Sequence, residues 1–86
     1  EAAYVRRDDG SLLISGWMPA REFADLLSIP LPPSRHYQTF AGFLLQSFAR
    51  IPEVGDRIAV GDWEFEIVDM DGRRIDKALV NGLKNP

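Results

Sequence analysis

Residues 62–80, DWEFEIVDMDGRRIDKALV, set acids and bases among apolar residues and come nearest to chemistry in this sequence. Asp69 and Asp71 with the following glycine invite a calcium-loop reading. An EF-hand counted from Asp69 needs glycine at its sixth position and glutamate at its twelfth, but Arg74 and Val80 stand there. Arg73 and Arg74 would also repel a cation. The stretch reads instead as a hairpin with a wet outer face, and no metal ligand is assigned. Divalent cations are expected to bind it no better than about millimolar, because two carboxylates fall short of the roughly six to eight oxygens calcium prefers.

The other reactive side chains are equally scattered. Glu64 and Glu66 share one face of a strand, yet no apolar pocket encloses them to separate their pKa values, so they read as solvated surface. His36 stands alone in a proline-rich stretch with Ser34 nearby, and no G-x-S-x-G elbow makes a nucleophile of that serine. The glycines are dispersed among turns, so no glycine-rich loop cradles phosphate. No catalytic residue, cofactor site or metal site is assigned, and the chain is read as not an enzyme.

Three signals for tight hairpins organise the elements that carry these residues: Asp9-Gly10, Gly61-Asp62 and Asp71-Gly72. They predict strands over 4–8, 11–17, 57–60, 63–69 and 73–80. In the fourth, Trp63, Phe65 and Ile67 face the core while Glu64 and Glu66 face water. The last strand needs a bulge at Asp76-Lys77 to bury Ile75, Ala78 and Val80 together. Between the strand groups, PAREFADLLS places Phe23, Leu26 and Leu27 on one helical face. TFAGFLLQSFARI opens on Thr39 as N-cap and offers Ala41, Leu44, Leu45 and Phe48 as its stripe. Pro30, Pro32 and Pro33 enforce an extended connector, and Pro52 and Gly55 end the second helix. The order β-β-α-α-β-β-β predicts an α+β fold, a mainly antiparallel sheet with two helices on one face. Phe23, Leu27, Leu44, Phe48, Phe65, Ile67 and Trp63 are the expected core. Trp17, Tyr37 and Phe40, close to the helix starts, are the candidate interface residues.

Composition narrows the function. With 86 residues, 45% of them hydrophobic, the chain can fill one modest core, so residues 1–86 form a single domain. A net charge of −3 argues against nucleic acid as partner, since that needs a basic face. The absence of cysteine removes disulfides and thiolate chemistry and fits a reducing compartment. No apolar run approaches the roughly 20 residues of a membrane span, and the opening EAAYVRRDDG has no signal-peptide character. Because that opening lacks an initiator methionine, the chain is expected to be a fragment of a longer protein.

Three stretches together resemble the CorC/HlyC transporter-associated domain: RDDGSLLISGWMP, YQTFAGFLLQSFARIPEVGDRI and WEFEIVDMDGRRIDKALV. They span residues 6–80 in the family's order and end in its arginine-isoleucine pattern. The resemblance implies the small C-terminal domain of bacterial magnesium and cobalt efflux proteins and hemolysin-like proteins, also found on some sodium/proton antiporters. It further implies a non-enzymatic regulatory role on the cytoplasmic side of the membrane, with a membrane domain and a CBS-domain pair of the same parent chain as partners. Insertion into the membrane by this segment is not expected, whatever the hemolysin label says. A homodimer, through exposed strand edges and the three aromatic residues, is expected of the domain itself. The alternative class is a sensor domain binding a small ligand such as an adenine nucleotide between sheet and helices.

Overall fold

A computed structural model describes residues 2–83. The elements run β1 (Tyr4–Arg6), β2 (Leu12–Ser15), α1 (Ala20–Leu27), α2 (Phe40–Phe48), β3 (Arg57–Val60), β4 (Trp63–Asp71) and β5 (Arg74–Gly82). This is the expected α+β order. The strands lie β1-β2-β5-β4-β3 in one sheet, and every neighbouring pair is antiparallel.

Turn chemistry sets the register. The β1–β2 hairpin closes through Arg7 N–H to Ser11 O at 2.8 Å and Gly10 N–H to Arg7 O at 2.9 Å. The Asp9 carboxylate accepts from both the backbone N–H and the hydroxyl of Ser11, and these bonds hold its pKa below the usual aspartate value. Gly61-Asp62 joins β3 to β4 as expected, with Val60 opposite Trp63. The last hairpin is displaced by one residue. Asp71 pairs with Arg74, so the loop is Gly72-Arg73 and not Asp71-Gly72. The glycine supplies the positive φ (63°) at the first loop position, which leaves Asp71 free to pair.

The expected bulge is present, and it has a counterpart. Ile67 pairs with Ala78, Asp69 with Lys77 and Met70 with Ile75, so Val68 is the extra residue on β4 and Asp76 the extra residue on β5. The two slips cancel. Ile75, Ala78 and Val80 therefore all face the core, at 0 to 1% exposure.

α1 starts after Pro19 and buries Ala20, Phe23, Ala24 and Leu27. α2 starts at the cap Thr39, whose Oγ1 accepts from Gly42 N–H at 3.2 Å. It ends at Phe48, ahead of Pro52, with Ala49 in the left-handed region. Its inward face is turned from the expected one: Phe40, Phe43 and Leu44 are buried, while Ala41, Leu45 and Phe48 are half-buried. Phe40 and Phe43 meet Phe23 at ring-centroid distances of 5.1 and 4.7 Å, and Phe65 of the sheet at 5.8 and 5.7 Å. This aromatic cluster joins both helices to the sheet. Trp63, expected in the core, stands at the margin of the hydrophobic core. It is half-buried, and its indole N–H donates to Leu27 O at 2.9 Å.

Candidate functional site

The turn Ser15–Gly16–Trp17–Met18 carries the most exposed large aromatic side chain among the described residues, and it is fixed on two sides. Met18 N–H closes it onto Ser15 O at 3.1 Å. Gly16 N–H donates to Asp76 O at 2.8 Å, so the β5 bulge supplies the acceptor that holds the turn against the sheet. On the other side, Phe40 N–H donates to Met18 O and Ala41 N–H to Gly16 O, each at 2.9 Å. Only glycine fits here, because a Cβ on Gly16 would lie 2.2 Å from Ile75 O. Anchored this way, the backbone of Trp17 cannot follow its side chain inward, and the residue remains 50% exposed.

Trp17 borders a cavity of about 310 Å³ together with Gly16, Thr39, Ala41, Arg74, Ile75 and Asp76. Its charged rim is balanced. Asp76 is held ionised below the usual aspartate range by the Lys77 ammonium at 3.0 Å, while Arg74 brings positive charge. Adjacent strand residues normally point to opposite faces, and the bulge is what lets Asp76 and Lys77 meet. The first amides of α2 are already bonded to Met18 O, Gly16 O and Thr39 Oγ1, so the helix start offers no phosphate cradle.

Of the three candidate interface residues, only Trp17 is on the surface. Tyr37 is 8% exposed and Phe40 0%, which overturns their assignment to an interface. Phe40 sits in the aromatic cluster, and Tyr37 stands edge-on to Phe43 at 5.8 Å. Neither can meet a partner without unpacking the core. The sequence pattern does not place Thr39, Arg74 and Asp76 beside Trp17: the pairing of β2 with β5 brings Arg74 and Asp76 there, and a bridge between Pro19 and Thr39 brings the start of α2.

The remaining candidates do not assemble. His36 and Ser34 are exposed in the connector, and Glu64 and Glu66 lie half-buried on the sheet face turned from the helices. Among the described residues, no three His, Cys, Asp or Glu side chains gather to hold a metal ion. A second hollow, a groove of about 610 Å³, runs between the end of α1 and the β3–β4 hairpin, with Leu26, Ile29, Pro30, Val60 and Trp63 among its walls. No helix among the described residues is long and apolar enough to cross a membrane.

Residues 5–83 match the family model of the CorC_HlyC transporter associated domain. The chain is 41% identical over 96% of its length to a UPF0053 protein of Synechocystis sp., and 36% identical over 99% of its length to the polyamine export protein of Salmonella typhimurium. It spans 19% of each of these curated relatives. Among solved structures it is similar to the CorC_HlyC domain of a Xylella fastidiosa Temecula1 hemolysin in complex with Mg++ and Mn++. That likeness has a TM-score of 0.86 at 42% identity and covers 96% of this chain and 100% of that one.

Proposed function

The chain belongs to the CorC_HlyC transporter associated domain family, and from that premise we propose that it is an accessory domain of a membrane transport protein, acting through contacts and not through catalysis. The observation that carries this reading is the turn of Gly16 and Trp17. It holds an aromatic side chain out of the core on a rigid support and beside a cavity, as a docking residue requires and a core residue does not. The proposed partners are the membrane domain and the CBS-domain pair of the parent chain, with this domain on the cytoplasmic side. Relatives about five times as long fit such a setting. The cargo is proposed to be a cation. Divalent metal efflux is what the family resemblance implies, and a polyamine, the export substrate in the name of one relative, is cationic as well.

The test uses the full-length parent reconstituted in vesicles. Removing this domain, or changing Trp17→Ala, is expected to alter the transport rate while the protein still inserts. Unchanged transport in both variants overturns the reading.

Direct ion sensing has weaker support. Asp69, Asp71 and Asp76 are accompanied by Arg73, Arg74 and Lys77, and we propose that divalent ions bind this chain only at about millimolar or weaker. The Mg++ and Mn++ complex of the Xylella domain makes calorimetry with those two ions the natural check. Saturable micromolar binding abolished by Asp69→Asn or Asp71→Asn would make the domain a sensor.

A further inference from the structure

The sheet ends at β3, and its outer edge is unpaired. Ile67 N–H donates to Asp56 O at 2.9 Å and Gly55 N–H to Ile67 O at 2.8 Å, which fixes the phase of the β3–β4 ladder. Even-numbered positions of β3 bond inward, so the N–H and C=O groups of Arg57 and Ala59 point out of the sheet. Among the described residues no hydrogen bond covers that row. No proline or bulge interrupts it, although these are devices by which edge strands are protected. Arg57 and Ala59 are exposed on the face away from the helices, and Ile58 and Val60 are half-buried on the helix side.

We propose that β3 is a self-pairing edge, joining two copies of this chain antiparallel about a two-fold axis through Ile58. In that register Arg57 of each copy faces Ala59 of the other, which makes about four hydrogen bonds between outward groups. The two Ile58 side chains then meet on the axis beside the groove that Val60 and Trp63 wall. The charges decide for a second copy over an arbitrary strand. Ala59 is opposite Glu64 within each chain, so Arg57 of one copy, Ala59 of the second and Glu64 of the second fall in one row. Arg57 and Glu64 are then two strand spacings apart, about 10 Å, and an extended arginine and glutamate can span that over a methyl group. The axis makes the pair twice. In the single chain Arg57 reaches Glu66, at 3.6 Å and with both side chains partly exposed. The expected dimer thus uses the strand edge and none of the aromatic residues first suspected.

The experiment is sedimentation equilibrium of the 86-residue chain at rising concentration up to about millimolar, with amide exchange followed in parallel. The expected result is dimerisation, with the Arg57 and Ala59 amides gaining protection as the dimer forms. Ala59→Pro removes an outward N–H and leaves the inward ladder alone, and should weaken association at least about tenfold. Glu64→Arg should weaken it too, and Arg57→Glu combined with Glu64→Arg should restore it; thermal unfolding of each variant checks that the fold persists. A chain monomeric throughout, or a dimer indifferent to both Ala59→Pro and Glu64→Arg, overturns the proposal.

Discussion

At the scale of single residues, two aromatic side chains on either side of the Met18–Phe40 contact carry opposite duties. Phe40 is enclosed by Phe23, Phe43 and Phe65. Phe40→Ala leaves a cavity where the helices meet the sheet and is expected to cost about 3–5 kcal/mol in chemical denaturation. Trp17, half exposed, should cost no more than about 0.5 kcal/mol on truncation, because it gives up little that the folded state alone provides. A loss at Trp17 matching that at Phe40 would remove the case for a docking residue. Gly16 has the smallest side chain and the tightest constraint. Its added methyl would strike the backbone carbonyl of Ile75 and not a movable side-chain tip, so Gly16→Ala should destabilise by about 1–3 kcal/mol or more in the same measurement. If that variant folds normally, the support beneath Trp17 is softer than the geometry says.

At the scale of elements, helix ends and hairpins expose where local conformation is strained. α2 ends on Ala49 at φ 60°, a left-handed position that costs an L-residue with a Cβ roughly 1–2 kcal/mol. Ala49→Gly should therefore raise stability, by up to about 1 kcal/mol once the greater freedom of glycine in the unfolded chain is deducted. An unchanged or lower denaturation midpoint would count against the cap. The reverse substitution at the β4–β5 hairpin tests the same physics. Gly72 has φ 63° and open space around it, so Gly72→Ala should cost about 1–2 kcal/mol from backbone conformation alone.

At the scale of the whole molecule, three aspartates tie segments together in their ionised form. Asp56 accepts first from Glu53 N–H and then from Arg50, each at 2.9 Å, and closes the stretch between α2 and β3. Asp9 closes the first hairpin through Ser11, and Asp76 is held by Lys77 beside the Trp17 turn. All three have folded-state pKa values below the ordinary aspartate value. Their contribution is therefore fully present above the unfolded pKa, near about 4, and is lost as pH falls through the lowered folded values. Thermal midpoints should hold steady from neutral pH to about 5 and fall below about 4, and Asp56→Asn should flatten that fall. A midpoint rising on acidification would contradict this assignment. These are surface groups, so added salt should weaken the ion-pair part of the effect.

The sequence by itself determined the parts governed by near neighbours. Gly10 and Gly61 close hairpins because positive φ is available there, the first over three residues, 8–10, and not the expected two, and Thr39 caps α2 because a hydroxyl next to a free amide is a local matter. The alternation from Trp63 to Ile67 put the right face inward, and the spacing of Ile75, Ala78 and Val80 demanded the bulge that is found at Asp76. Only the tertiary structure decided how α2 is turned about its axis. Met18 O and Gly16 O, more than twenty residues earlier in the chain, accept the amides of Phe40 and Ala41, and these long-range bonds rotate Phe40 and Phe43 into the core. Helical spacing alone allows the stripe led by Ala41 almost as readily, which is why Tyr37 and Phe40 could be mistaken for surface. The cavity beside Trp17 likewise arises because β5 lies between β4 and β2. That placement brings Arg74 and Asp76 to a turn nearly sixty residues away, and no local pattern encodes it.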